Sequence, residues 1–267
     1  MNLQRLDAVP AAAAAGAPNG PVAASAFGRD AAPGTSAPHL SSQVVVVVLA
    51  DVAAGSRAWG WSRIVRGPRA LCRTPGLAWA KVLGSGYEGG FGLRPSVSRQ
   101  GLFLLFDDAS TANAFVQESS IMQAYRERCR ECCVLQLKAW SSRGTWAGAS
   151  LQVAAQAPSQ GPVAALTRAS IAWPRTLPFW RMAPAAQQAL TQAPGCRLAA
   201  GLGEAPLLRQ ATFSVWDSVQ AMHAYARSGA HLLAAQAAHR GGYFSESMFV
   251  RFVPLSIQGT WLGRAHG

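Results

Sequence analysis

One sequence pattern occurs twice in this chain. In the first half, Leu104-Leu105-Phe106-Asp107-Asp108 precedes a helical stretch to Arg130, then Val134-Leu135-Gln136-Leu137 and Arg143-Gly144-Thr145-Trp146-Ala147-Gly148. In the second half, Ser214-Val215-Trp216-Asp217-Ser218 precedes a helical stretch to His239, then Phe249-Val250-Arg251-Phe252 and Gln258-Gly259-Thr260-Trp261-Leu262-Gly263. Phe106 and Phe115 are nine residues apart, as are Trp216 and Tyr225. Upstream, Pro75-Gly76 and Val82-Leu83-Gly84 mirror Pro194-Gly195 and Gly201-Leu202-Gly203. Two copies of about a hundred residues mean one duplicated unit, so a residue that differs between them is a candidate for function.

Each copy reads as strand, helix, strand, strand, helix, strand. The first has strands at Val44–Leu49, Leu77–Leu83, Leu102–Phe106 and Val134–Ala139, with helices over Ser56–Val65 and, with a break, Ser110–Arg130. The second has strands at Val163–Ile171, Arg197–Leu202, Gln210–Trp216 and Met248–Val253, with a long helical stretch over Ser218–His239. Asp108 and Asp217 stand where N-caps are wanted. A βαββαβ unit has an antiparallel sheet with helices on one face, leaving the other face to be covered. Two such units closing face to face predict an α+β fold: two ferredoxin-like βαββαβ repeats in one chain, forming a pseudo-dimeric α/β barrel with helices outside. The expected organisation is a disordered Ala/Pro/Gly-rich tail over 1–42, a first repeat over 43–153, a linker over 154–161 and a second repeat over 162–267.

Composition narrows the partners. The formal charge is +12, with only Lys81 and Lys138 beside the arginines. The arginines are scattered rather than gathered into a run or helix face, which argues against nucleic acid. No apolar run of about twenty residues exists to span a membrane, and no secretory signal precedes the fold, so a cytoplasmic protein is expected, with peripheral contact at the inner face of the membrane left open. Cys129, Cys132 and Cys133 form one tight group without a second pair, which suits small buried hydrophobes better than a zinc site. The Gly84-Ser85-Gly86 loop lacks the Lys-Ser/Thr of a phosphate loop. Both Gly-Thr-Trp-x-Gly motifs read as strand ends that pack a tryptophan on the barrel.

The copies differ at one position with chemical consequence. Setting Phe115 on Tyr225 puts Ile121 opposite His231. A histidine in an apolar slot must find a hydrogen-bond partner or a metal. On one continuous helix His231 would turn away from the Met222/Tyr225/Gly229/Leu233 stripe. A break at Ser228-Gly229, with Ser228 capping a second helix, resets that phase. His223 and His239 read as surface residues, and His39 and His266 as tail residues.

Several stretches together resemble the spheroidene monooxygenases of carotenoid biosynthesis. They are Arg73-Thr74-Pro75-Gly76-Leu77, Lys81 with Gly84-Ser85-Gly86, Gly161-Pro162-Val163-Ala164-Ala165-Leu166-Thr167-Arg168-Ala169, Phe213-Ser214-Val215-Trp216, Ala230-His231, Arg251-Phe252 and Gly259-Thr260-Trp261. The Tyr87-Glu88-Gly89-Gly90-Phe91 loop departs from that family's pattern. The resemblance implies a haem-dependent monooxygenase that introduces a keto or hydroxy group on a linear carotenoid or similar apolar polyene. Its expected cofactor is haem b, its co-substrate O2 and its electron donor a protein such as a ferredoxin. The wider dimeric α/β-barrel class that it resembles carries a proximal histidine on the second helix of the unit, which makes His231 the expected iron ligand. Arg168 is the expected second site residue, catalytic or paired with a haem propionate; pairing with an Asp or Glu is the alternative. A non-catalytic haem- or hydrophobic-ligand-binding barrel is the competing function, separable by turnover.

Overall fold

The run Val44–Val52 forms strand β1, and all nine of its residues are buried, because β1 is covered on both faces. In the computed structural model, which describes residues 40–90, 92, 94–205 and 208–267, β1 is followed by α1 (Arg57–Arg66), β2 (Leu77–Gly86), β3 (Pro95–Phe106), α2 (Ala109–Glu118), α3 (Ser120–Arg128) and β4 (Cys129–Gly144). The same order recurs as β5 (Val163–Ile171), α4 (Thr176–Thr191), β6 (Cys196–Ala205), β7 (Arg209–Trp216), α5 (Val219–Ala226), α6 (Gly229–Arg240) and β8 (Phe244–Trp261), with a short β9 (Arg264–His266) added. Within each copy the first and third strands pair centrally, with the fourth and second outside: β4-β1-β3-β2, then β6-β7-β5-β8. Pairing of β4 with β8 closes the eight strands into an antiparallel barrel.

The strands alternate their side chains between two layers. One set, including Val45, Val47, Leu49, Phe103, Leu105, Leu135, Leu166, Phe213, Val250 and Phe252, fills the barrel as a single buried cluster with Trp146 and Trp261. The other set meets the helices outside. In both copies the nine-residue spacing does the same work: Phe106 packs on Phe115 with centroids 5.3 Å apart, and Trp216 on Tyr225 at 5.2 Å.

The second helix of each copy is broken. Asp108 accepts from Thr111 N at 2.8 Å to start α2, and Ser119 accepts from Met122 N at 3.1 Å to start α3. In the second copy Ser218 caps α5. Asp217, the expected cap, instead pairs with Arg197; the cap falls one residue later because Asp217 is the counterpart of Asp107, their N–H groups donating to Gly195 O and Gly76 O. Ser228 does not cap α6 through its hydroxyl, which donates backwards to Ala224 O at 2.7 Å. Helix α4 escapes the sequence pattern because Pro178 and Pro184 lie within it.

Most of the expected tail lies outside the described residues. Ser41 and Ser42 are tied down, by Ser41 N to Val153 O at 2.9 Å and Ser42 Oγ to Asp107 O at 2.6 Å. In the linker, Ala154 N and Ala155 N both donate to Ala139 O. His266 pairs with Gly259 in the β8–β9 hairpin rather than trailing free.

The Gly-Thr-Trp-x-Gly motifs form the main closure of the barrel. Gly144 and Gly259 have φ of 78° and 109°, and a Cβ on them would stand 2.0 Å from Ser247 O and 1.9 Å from Cys132 O, so only glycine lets β4 and β8 approach. Each following turn is held by a carboxylate from the other copy. Glu246 accepts from Gly148 N at 3.1 Å and Thr145 Oγ1 at 3.0 Å; Glu131 accepts from Leu262 N at 2.9 Å and Gly263 N at 2.6 Å. The other seam is short, with Gly84 opposite Gly203, Ser85 opposite Leu202 and Ser85 Oγ donating to Gly201 O at 2.7 Å.

Burial works to raise the pKa of Glu246, but the N–H groups of Gly148 and Ala147, with Arg168 and Thr145, hold it at about 2. A carboxyl held low in the folded state contributes stability that is complete above its unfolded pKa, near 4.5, and is lost as pH falls toward 2. Glu246→Gln should lower stability at pH 7 by about 1–3 kcal/mol and flatten the acid unfolding profile across that window, read by circular dichroism.

Candidate functional site

The two sheets are alike on the barrel face and unlike on the helix face. On the helix face of the first, Val48 lies beside Leu102 and Val134, and Leu102 beside Val82. All four are buried and pack with α2 and α3 into one cluster. In the second copy the same row reads Thr167 beside Thr212 and Phe249, with Thr212 beside Gly201. The next row changes from Val46, Leu104 and Ala80 to Ala165, Ser214 and Ala199. Val48, Leu102 and Val82 have given way to Thr, Thr and Gly, and Val46 and Leu104 to Ala and Ser, while Val134 has become Phe249 and Ala80 remains alanine as Ala199.

The helices have not closed over the space this leaves. β5 is an inner strand, flanked by β7 and β8, yet Thr167 on it is exposed and Phe249 is 38 % exposed. The helix layer is accordingly split into two clusters. One gathers Val163, Trp216, Met222, Leu190 and Tyr225; the other gathers Ile171, Trp180, Ala183, Phe179 and Phe244. Between them along β5 lies Thr167, exposed, with Thr212 half-buried and Gly201 buried beside it in the register; this opening in the helix layer is the hollow.

His231 stands in the first turn of α6, on the Trp216 side of this hollow. The break after α5 gives it that place, since it resets the helical phase. Its ring lies 4.7 Å from the Tyr225 ring, and Nδ1 is 3.2 Å from Ala226 O. A carbonyl only accepts, so Nδ1 carries the proton and Nε2 the lone pair. Burial pushes the imidazole pKa down against the opposing Ala226 bond, which favours the neutral ring. Its counterpart Ile121 packs into the first copy's helix layer. His223 is half-buried rather than at the surface.

Arg168 is not brought to His231. It points into the barrel, 2 % exposed, where the first copy has Leu49. It donates to Glu246 and, at 3.2 Å, to Glu204, and its guanidinium lies 5.6 Å from the Trp146 ring. Burial tends to raise the Glu204 pKa, but Lys81, Trp146 and Arg168 together hold it low. Of the two expected pairings, the carboxylate one is present. Without Arg168, Glu204 keeps Lys81 and Glu246 keeps its turn donors, but each loses a charged partner. Arg168→Leu should therefore cost about 1.5–3 kcal/mol in denaturant unfolding.

Cys133 faces the barrel, and Cys129 and Cys132 the helix layer. Burial pushes the three thiols to about 12, 12 and 11, which makes them poor nucleophiles at neutral pH.

The sequence singles out His231 as the odd residue between the copies but does not mark the Thr/Ser/Gly change on the sheet near it. The signal was nonetheless present in the repeat: setting Val44 on Val163 aligns Val48 with Thr167 and exposes the change from aliphatic to hydroxyl or small side chains. Thr and Val have nearly the same volume, so exchanging them tests whether a hydroxyl at each position reaches water. Thr167→Val should leave the melting temperature unchanged or higher. Val48→Thr should lower stability by about 1–3 kcal/mol, because it buries a hydroxyl in a filled layer.

Similarity to known proteins follows the same lines. No protein-family model matches the chain. Among solved structures, an aldoxime dehydratase in complex with butyraldoxime superposes with a TM-score of 0.51 at 13% identity, over 83% of this chain and 82% of that one. A second aldoxime dehydratase gives 0.52 at 12%, over 82% of this chain and 83% of that one. The likeness shows the barrel fold. The spheroidene monooxygenase of Rubrivivax gelatinosus is 54% identical over 95% of this chain and 97% of its own length. That of Rhodobacter capsulatus is 33% identical over 77% of this chain and 87% of its own. With its duplicated barrel and these two relatives, the chain belongs to the spheroidene monooxygenase family, and it is a monooxygenase.

Proposed function

We propose that this monooxygenase oxygenates a linear carotenoid or similar apolar polyene, and that it uses haem b held in the hollow of the second copy with His231 as the iron ligand. The observation that carries the reading is the paired change between copies: a packed Val/Leu layer beside Ile121 becomes a Thr/Ser/Gly-floored hollow beside His231. The donor set fits a macrocycle. Among the described residues no group of three or more His, Cys, Asp or Glu could hold a bare ion, whereas one neutral imidazole suffices when a porphyrin supplies the other ligands.

Haem iron, when bound, supplies the activation of O2. The protein's share is positional. The Nδ1–H bond to Ala226 and the Tyr225 ring fix the imidazole plane and leave Nε2 as the basic nitrogen. The small side chains on β5, β6 and β7 let a flat group lie close to the sheet. Phe249 offers an apolar ring at the edge of the same floor, suited to a polyene that has no polar handle. Arg168 has a structural part, since it faces the other side of β5. Electrons come from a separate donor, such as a ferredoxin.

His231→Ala should abolish the Soret band of the haem-loaded protein and its oxygenation of spheroidene. The melting temperature of the haem-free protein should change little, because the corresponding Ile121 is apolar. Gly201→Val with Thr212→Leu, which installs the first copy's residues, should also abolish the band while keeping or raising that melting temperature. An unchanged Soret band in both variants would remove the hollow and His231 from haem binding.

A further inference from the structure

The loop and first turn that begin α4 present an apolar wedge to solvent. Trp173 and Leu177 are each 74 % exposed and stand four residues apart. Pro174, Arg175 and Arg181 beside them are exposed as well. Phe179, at the base of the same turn, packs on Trp180 and Phe244, which anchors the segment to the barrel. A hydrogen bond from Ala172 N to Tyr243 O at 2.8 Å fixes its start. Two large apolar side chains held out from an ordered base are costly to leave in water.

The charge around the wedge has one sign. No acidic residue occurs between Glu131 and Glu204 in the sequence. Arg240 closes α6 three residues before the Tyr243 carbonyl that receives Ala172. Glu246 and Glu204, which lie toward this end of the barrel in the strand register, are both engaged by Arg168. Exposed Trp and Leu flanked by arginines match an anionic bilayer surface, whose acyl boundary takes the apolar side chains and whose headgroups take the cations. No helix among the described residues is long and apolar enough to cross a membrane, so such a contact is peripheral.

The place of the wedge gives it a purpose. Ile171 stands at the wedge end of β5, and Thr167, on the floor of the hollow, lies four residues back along that strand, about 13 Å at the usual strand rise. We propose that Trp173 and Leu177 dock the protein onto anionic lipid bilayers and bring the hollow to the membrane in which an apolar polyene dissolves. Docking goes beyond the haem reading and rests on the polyene reading only for its purpose.

The test is co-sedimentation of the full chain with phosphatidylcholine vesicles, with and without phosphatidylglycerol, in the absence of substrate. A failure there is thus distinct from a failure of the Soret test. The wild-type chain should bind the anionic vesicles and release at high salt. Trp173→Ser with Leu177→Ser should lower the bound fraction about tenfold or more at unchanged melting temperature. Trp61→Ser with Val65→Ser, the exposed pair on α1 of the first copy, should bind as the wild type does. A wild-type chain that stays in solution, an α4 variant that binds normally, or a loss seen only in the α1 variant would each overturn the proposal. A shift of the α4 variant from dimer to monomer on gel filtration would assign the wedge to a second copy of the chain instead.

Discussion

The pairing of β4 with β8 is the constraint on which the rest depends. Each βαββαβ unit has one sheet face covered by its own helices and one face that water would otherwise reach. The seam joins these bare faces into a single filled barrel. Its closeness is set by two glycines that allow backbone approach, and its turns by two carboxylates exchanged between the copies. Because Glu131 and Glu246 each clasp the other copy's turn, the halves are linked by reciprocal polar contacts as well as by apolar burial. Arg168 ties the clasp at Glu246 to Glu204 on β6, which pairs in turn with Lys81 of β2 across the other seam.

The barrel is filled in both copies, whereas the two helix layers differ. The first copy keeps Val, Leu and Phe on its helix face and closes into one cluster, which supplies stability to the whole. The second can then carry small residues and an open layer without losing the fold. A broken second helix is common to both copies, so the break did not arise for the histidine. What differs is the residue placed just after it: Ile121 in one copy, His231 in the other.

The duplication, the strand order within each unit, the closed barrel and the departure at His231 were all legible in the sequence. Each rests on local pattern: apolar alternation, repeated turn glycines and the fixed spacing of Phe106 to Phe115 and Trp216 to Tyr225. The repeat calls for a helix between β5 and β6, but the span of α4 was illegible because Pro178 and Pro184 interrupt its pattern; it is held by packing of Trp180, Ala183 and Leu190 on the sheet. The cap at Ser218 was missed because two adjacent side chains could both serve, and the backbone decides: Asp217 N, like Asp107 N, donates to a turn glycine carbonyl, which leaves the next residue to cap.

The sequence by itself determined that the chain folds as two like units and that one of them carries an imidazole where the other carries an aliphatic side chain. Only the tertiary structure decided which layer each residue enters. Arg168 and Thr167 are neighbours in sequence, but strand alternation sends the first into the barrel among carboxylates and the second onto the floor of an open layer. That separation depends on strand register and on how closely the helices approach the sheet, and both are set by contacts between residues far apart in the chain.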